Sequence, residues 1–271
     1  MNRLYYTALL SGLLLLAGLG IAQAELSRKV NCDAGQSLAK ALQASDGYGG
    51  TLNITVRGTC EESFTIDRER VSIVGENGAT IIGRVAVFGP ANITLQNLTI
   101  TGPNGGVVVR AGRTRIVGCT IYENEGVGVV ARDGAWVLVR DSDVFDNSEL
   151  GILADNAQVE VNNGRIAGNG EVGIRADRQG SIVLQGTATV EDNPGGIELW
   201  LHSTLDLTGQ SQVRDNWDLQ IYAVEDSAIR VSSGEVSVPG LIVCDDNESS
   251  FLVREGAEEA DVPEVYCSDF N

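Results

Sequence analysis

The chain has 271 residues, 43% of them hydrophobic, and carries 37 acidic against 19 basic side chains for a formal net charge of −18. Such an acidic chain is not built to hold nucleic acid or an anionic membrane surface. It would hold a polyanionic sugar only through a local arginine cluster or a bridging Ca²⁺, and no other cofactor is expected.

Residues 1–24 read as a secretory signal peptide. Arg3 stands near the start, an apolar run extends from Ala8 to Ile21, and Ala22-Gln23-Ala24 supplies a small-x-small cleavage site. A stretch of this length can nearly span a bilayer, but glycines break the apolar run, so cleavage is expected rather than anchoring. No other segment is long and apolar enough to cross, so the expected location is secreted or periplasmic, with no membrane insertion after cleavage.

The chain beyond the leader fits one domain or one solenoid. Residues 25–60 are expected to form an N-terminal cap and first strand. Ser37 to Ser45 reads there as a short amphipathic helix with Ser37 as N-cap and Leu38, Ala41 and Leu42 on one face. Residues 61–243 are expected to form regular coils, and the acidic stretch 244–271 a C-terminal cap. Five cysteines in an exported chain point to disulfides. Pairing them by end joins Cys32 to Cys60 and Cys244 to Cys267, and leaves Cys119 in a small-residue slot shared with Ser142, Gly164, Ala188 and Ser211. That slot implies a buried, inert thiol. With a single histidine and no Cys/His ligand spacing, no metal site is expected.

The dominant feature is a repeat of 22 or 23 residues whose units begin at Gly106, Gly128, Gly151, Gly173, Gly196, Leu219 and Leu241. Each unit, as in GILADNAQVEVNNGRIAGN, holds two alternating aliphatic pieces and a third with one aliphatic. Leucine-rich repeats share this period but need one strand and a fixed leucine spacing. Three short strands per coil instead predict an all-β, right-handed parallel β-helix, capped at its start by the short helix.

Stacking the units assigns side chains to columns. The first strand points inward with pairs such as Val129/Ala131, Ile152/Ala154 and Leu219/Ile221, the second with pairs such as Val137/Val139. The third contributes Ile121, Val144, Ile166, Val190, Val213 and Val236. A polar column of Asn124, Asn147, Asn169, Asn193 and Asn216 marks one corner. Asparagine tolerates left-handed backbone, and stacked amides bond one another, so this column reads as a structural ladder rather than a row of ligands.

The units GVVARDGAWVLVRDSDVFDN and GIRADRQGSIVLQGTATVEDN resemble the β-helix repeats of the pectate-lyase-like superfamily, and the block around Cys32, SLAKAL and GTCEESFTID resembles the opening of exported bacterial β-helix proteins. The resemblance implies the fold and leaves the activity open, since that superfamily holds lyases, hydrolases, epimerases and esterases. The Asn-Thr-Asp and Gly-His-Gly elements of polygalacturonases are absent, as is the Asp-Pro-His-Asp of alginate epimerases.

Function on such a fold belongs to outward columns. After the first strand these give Arg110, Arg132, Asp155, Asp177, Trp200 and Tyr222 as one stripe, with Arg175 and Glu198 beside it. Acids next to arginine and flat aromatic faces match a sugar chain, which needs hydrogen bonds to hydroxyls and a stacking surface. The candidate ligand stripe is therefore Arg132, Asp155, Arg175, Asp177, Glu198, Trp200 and Tyr222. The expected role is a non-catalytic exported protein binding carbohydrate or a surface partner; the alternative is a polysaccharide lyase or glycoside hydrolase using neighbouring carboxylates as an acid/base pair.

Overall fold

The computed structural model describes residues 25–244, 249–253 and 265–267, with side chains through 244 and at Ser249. The expected leader and most of the expected C-terminal cap lie outside the described residues. Among the described residues the chain is a parallel β-solenoid. The first strands of ten successive coils, from Phe64–Ile66 through Ile152–Asp155 to Val265–Cys267, form one ten-stranded sheet. The second and third strands together form a 17-stranded sheet. Leu38–Gln43 is the one α-helix described, and no described helix is long and apolar enough to cross a membrane.

The alternation that predicted the strands also fills the interior. Val129, Ala131, Val137, Val139 and Val144 of a single coil are all fully buried, and their register partners Ile152, Ala154, Val159, Val161 and Ile166 are buried directly beneath them. β-Branched side chains suit a parallel sheet packed on its inner face. Each coil leaves its backbone hydrogen bonds to its neighbours, so the stack is stable only as a continuous run.

Two interior assignments differ from the sequence reading. Ile221 and Ala223, not Leu219 and Ile221, continue the inward column beneath Ile197 and Leu199. The coil from Ile197 to Ile221 holds 24 residues where the four coils before it, counted from Val107, hold 22 or 23, so a constant period of 22 stops two residues short of the inward position. Val236 is buried as expected, but Val238, fully buried, takes its place in register with Val213, because Ser237 bridges to Gln212 after a register shift between Leu207 and Thr208.

The asparagine column is a directional chain of amides. Asn124, Asn147, Asn169 and Asn193 each donate through both backbone N–H and Nδ2 to Oδ1 of the asparagine on the next coil, at 2.8–3.2 Å. The glycines at 128, 151, 173 and 196 make room for it: a Cβ at any of them would sit 2.7–2.8 Å from a ladder Nδ2. Gln220 occupies the next position in that glycine column and ends the chain of amides, its Oε1 accepting from Asn216 Nδ2 at 2.8 Å while its Nε2 donates to Asn216 O at 3.1 Å.

The N-terminal end is closed by the short helix. Ser37 Oγ accepts from Lys40 N at 3.1 Å, as an N-cap should. Glu62 accepts from Leu38 N, Ala39 N and Ser37 Oγ, tying the helix to the first coil. A Cys32–Cys60 disulfide lies beside it. At the other end Cys244 is disulfide-bonded and stands in register opposite Cys267, whose side chain lies outside the described residues. Cys119 is a buried free thiol, and burial pushes it up to about 11.

Candidate functional site

The outer face of the first-strand sheet carries the candidate residues on columns that strand register defines. One column runs Val108, Val130, Leu153, Arg175, Glu198, Tyr222. The next runs Arg110, Arg132, Asp155, Asp177 and continues to Trp200, which follows Leu199 out of the sheet. Tyr222 therefore does not share the stripe of Asp177 and Trp200, as the period implied. It lies in register with Glu198, carried past the expected place by the same 24-residue coil that separates Ile197 from Ile221.

The seven candidates divide into two groups. In the first, Arg175 Nε donates to Glu198 Oε2 at 2.8 Å, and the same oxygen accepts from Trp200 Nε1 at 3.2 Å. Trp200 meets Tyr222 edge to face with ring centroids 5.7 Å apart. All four side chains are half-buried, so each is held in place while keeping an exposed surface. Beside them is a hollow of about 290 Å³ lined by Glu171, Arg175, Pro194, Glu198, Asp218 and Tyr222.

The second group is centred on Asp155, which the stripe reading placed in solvent and which is only 5% exposed. Arg178 grips both carboxylate oxygens, with Nε donating to Oδ1 at 2.7 Å and Nη2 bonding Oδ2, and Arg132 Nε lies 3.5 Å from Oδ2. Asp155 raises the Arg178 guanidinium above its ordinary value, with smaller contributions from Asp177 and Asp133. Asp177 is half-buried in register with Asp155, and its Oδ1 has no hydrogen-bond partner among the described residues. His202 Nδ1 and Asp226 Oδ2 lie 3.3 Å apart one corner further on.

Sequence columns missed Arg178 and Asp226, because both sit at corners; His202, the single histidine, is legible in the corner LWLHST, but its pairing with Asp226 is not. The corner signal is faint: Asp133, Asn156, Arg178, His202 and Asp226 all take a positive φ between 48° and 62°, and arginine is not a residue one expects in a left-handed turn. The third-strand face repeats the acid-between-arginines device. Glu191, 8% exposed, is held by Arg165 at 2.6 Å and by Arg214 at 2.5 Å.

These pairings determine what the surface can do. Asp155 is engaged through both oxygens by Arg178, and Glu198 through Oε2 by Arg175 and the Trp200 indole, so both carboxylates serve as fixed hydrogen-bond acceptors that orient their neighbours. What the first group offers is oriented hydrogen-bonding groups framing two aromatic faces. The one tight grouping of metal-donor residues among the described residues, Cys32, Cys60 and Glu62, consists of a disulfide and a carboxylate engaged with a helix N-terminus.

Comparison with known proteins agrees with this architecture. Among solved structures, a pectate lyase, Pel9A, superposes with a TM-score of 0.56 at 12% identity, covering 91% of this chain and 80% of its own. The periplasmic alginate epimerase AlgG gives a TM-score of 0.41 at 14% identity, covering 84% of each chain. The A-module of the Azotobacter vinelandii mannuronan C-5 epimerase AlgE4 gives 0.40 at 10% identity, covering 88% of this chain and all of its own. A sequence search of curated proteins finds no match. The model of the right-handed β-helix region matches residues 53–218, more than half of the chain, and the chain belongs to that family.

Proposed function

We propose that this chain is an exported β-helix protein that binds a hydroxyl-rich polysaccharide on the outer face of its first-strand sheet, without turning it over. The observation that carries this reading is the cluster Arg175–Glu198–Trp200–Tyr222. There a shared carboxylate orients a guanidinium and an indole N–H beside two contacting rings. Sugar recognition needs such a combination of flat apolar surface and fixed polar groups. The adjoining hollow sets Glu171, Glu198 and Asp218 against the single cation Arg175, which favours a neutral polymer over a polyuronate. The leader and the Cys32–Cys60 disulfide support export into an oxidising compartment.

The test is affinity electrophoresis through gels containing neutral or acidic polysaccharides, with reducing-end and unsaturated-product assays on the same samples. Neutral polymers should retard the protein. Trp200→Ala and Tyr222→Ala should each weaken retardation about tenfold, the scale of losing a central aromatic contact. Retardation indifferent to both substitutions would remove the site. Product release abolished by Glu198→Gln would replace the binding reading with a catalytic one.

A further inference from the structure

A separate groove runs along the next corner, between the first and second strands, over the coils of Gly112, Gly134, Asn156 and Gln179. It encloses about 510 Å³. Its floor is low because small residues line it, and a Cβ at Gly134 would project into open space. One wall is Trp136, with Gln158 in register on the following coil. The ring is fixed from the preceding coil, where the guanidinium carbons of Arg113 and Arg115 lie 5.3 and 5.7 Å from its centroid. Such contacts hold an aromatic ring without covering all of its surface.

The groove's Ser181 hydroxyl accepts from Thr204 Oγ1, but its three amides are uncommitted. The side-chain amides of Asn156, Gln158 and Gln179 make no hydrogen bond among the described residues, whereas the buried asparagines nearby are consumed by the ladder. Each amide offers both donors and acceptors, the pairing that a sugar hydroxyl, itself donor and acceptor, requires. No carboxylate lines the groove, and its one cation, Arg113, lies against Trp136. Through Asn156 and Gln179 it continues into a second hollow of about 540 Å³ lined by Asp133, Asp155, Arg178, Leu201 and His202, where Arg178 grips the Asp155 carboxylate. From the coil of Gly112 to that of His202 the path spans roughly 19 Å at about 4.8 Å per coil.

We infer that this corner groove is a second binding site, for a short neutral oligosaccharide, with Trp136 as its stacking surface and Asn156, Gln158 and Gln179 as its hydroxyl readers. It is distinct from the sheet-face cluster and does not depend on it.

The experiment uses a Trp200→Phe/Trp217→Phe protein in which Trp136 is the sole tryptophan. This protein is titrated with cellotetraose, maltotetraose, mannotetraose and tetragalacturonate, and calorimetry is run on Trp136→Ala and Gln158→Ala in the otherwise native chain. A neutral tetrasaccharide should shift Trp136 emission with saturation. Trp136→Ala should weaken its binding about tenfold and Gln158→Ala about three- to tenfold, the range of one stacking contact and one hydrogen bond respectively. The inference is overturned if no neutral tetrasaccharide perturbs Trp136 at millimolar concentration, if tetragalacturonate alone does so, or if binding ignores both substitutions. Failure here with polymer retardation intact would leave the sheet-face site standing. A Trp136 response alongside retardation that ignores Trp200 would overturn the sheet-face site alone.

Discussion

Replacing Asn169 with alanine strands groups that can be counted. Asn169 Oδ1 accepts from Asn147 N at 3.2 Å and from Asn147 Nδ2 at 2.9 Å, so alanine leaves two buried donors without this acceptor. On the far side Asn193 Oδ1 loses one donor but keeps the Asn169 backbone N–H at 3.0 Å. At about 1–3 kcal/mol for each buried donor left unmade, the loss is roughly 2–6 kcal/mol. Asn124→Ala supplies the internal contrast. Among the described residues nothing donates to Asn124 Oδ1, so its removal strands no donor, and Asn147 Oδ1 keeps the Asn124 backbone N–H at 3.2 Å. That change should cost about 1 kcal/mol. Urea unfolding followed by circular dichroism measures both, with hydrogen exchange of flanking coils checking that the solenoid unfolds as a unit. Equal costs at the two positions would refute the directional accounting, and a negligible cost at Asn169 would refute the ladder itself.

Three further outcomes concern the interior and the N-terminal cap. Thr114 is fully buried with an unpaired Oγ1, in a column with Ile93, Val137 and Val159, so Thr114→Val should raise stability by about 1–2 kcal/mol; a lowered urea midpoint would count against it. The folded Cys119 thiol, raised from 9.0 to about 11, keeps its proton while the unfolded chain releases it. Stability should therefore fall as pH rises from about 9 to 11, by up to roughly 3 kcal/mol. Cys119→Ala, a change matched by Ala188 in the same slot, should remove that excess slope, and identical pH profiles for the two proteins would contradict it. Opening the Cys32–Cys60 bridge by a double Cys→Ser change frees a loop with a sequence separation of 28 and should cost roughly 3–4 kcal/mol. Calorimetry should show this loss as a lowered transition temperature, and an unchanged transition would mean that the helix cap is held by Glu62 alone.

The solenoid was legible in the sequence because aliphatic alternation and the recurring asparagine are local patterns that each coil repeats. Counting by period failed where a coil changes length. The 24-residue coil from Ile197 to Ile221 moved Ile221 and Tyr222 by one column, and only backbone register reveals it. Asp155 was readable as outward but not as buried, because its cover comes from Arg178 on the next coil, projecting from a left-handed corner that side-chain alternation does not describe. The groove at Trp136 was hidden for a related reason. Its residues are unremarkable one by one, and their meaning lies in amides left without partners, a property of packing rather than of pattern.

The one-way order of the amide ladder also bears on how long such a protein can be. Each asparagine presents the same acceptor to the coil before it and the same donors to the coil after it, so a duplicated coil inserted between Asn147 and Asn169 meets identical partners on both sides. The same block inserted after Gln220 would meet a glutamine already bonded to Asn216 and inherit no such joint. Gln220 thus acts as a terminator, and the reach of the molecule along its axis is a modular quantity, extendable by gene duplication upstream of one side chain and closed to it downstream.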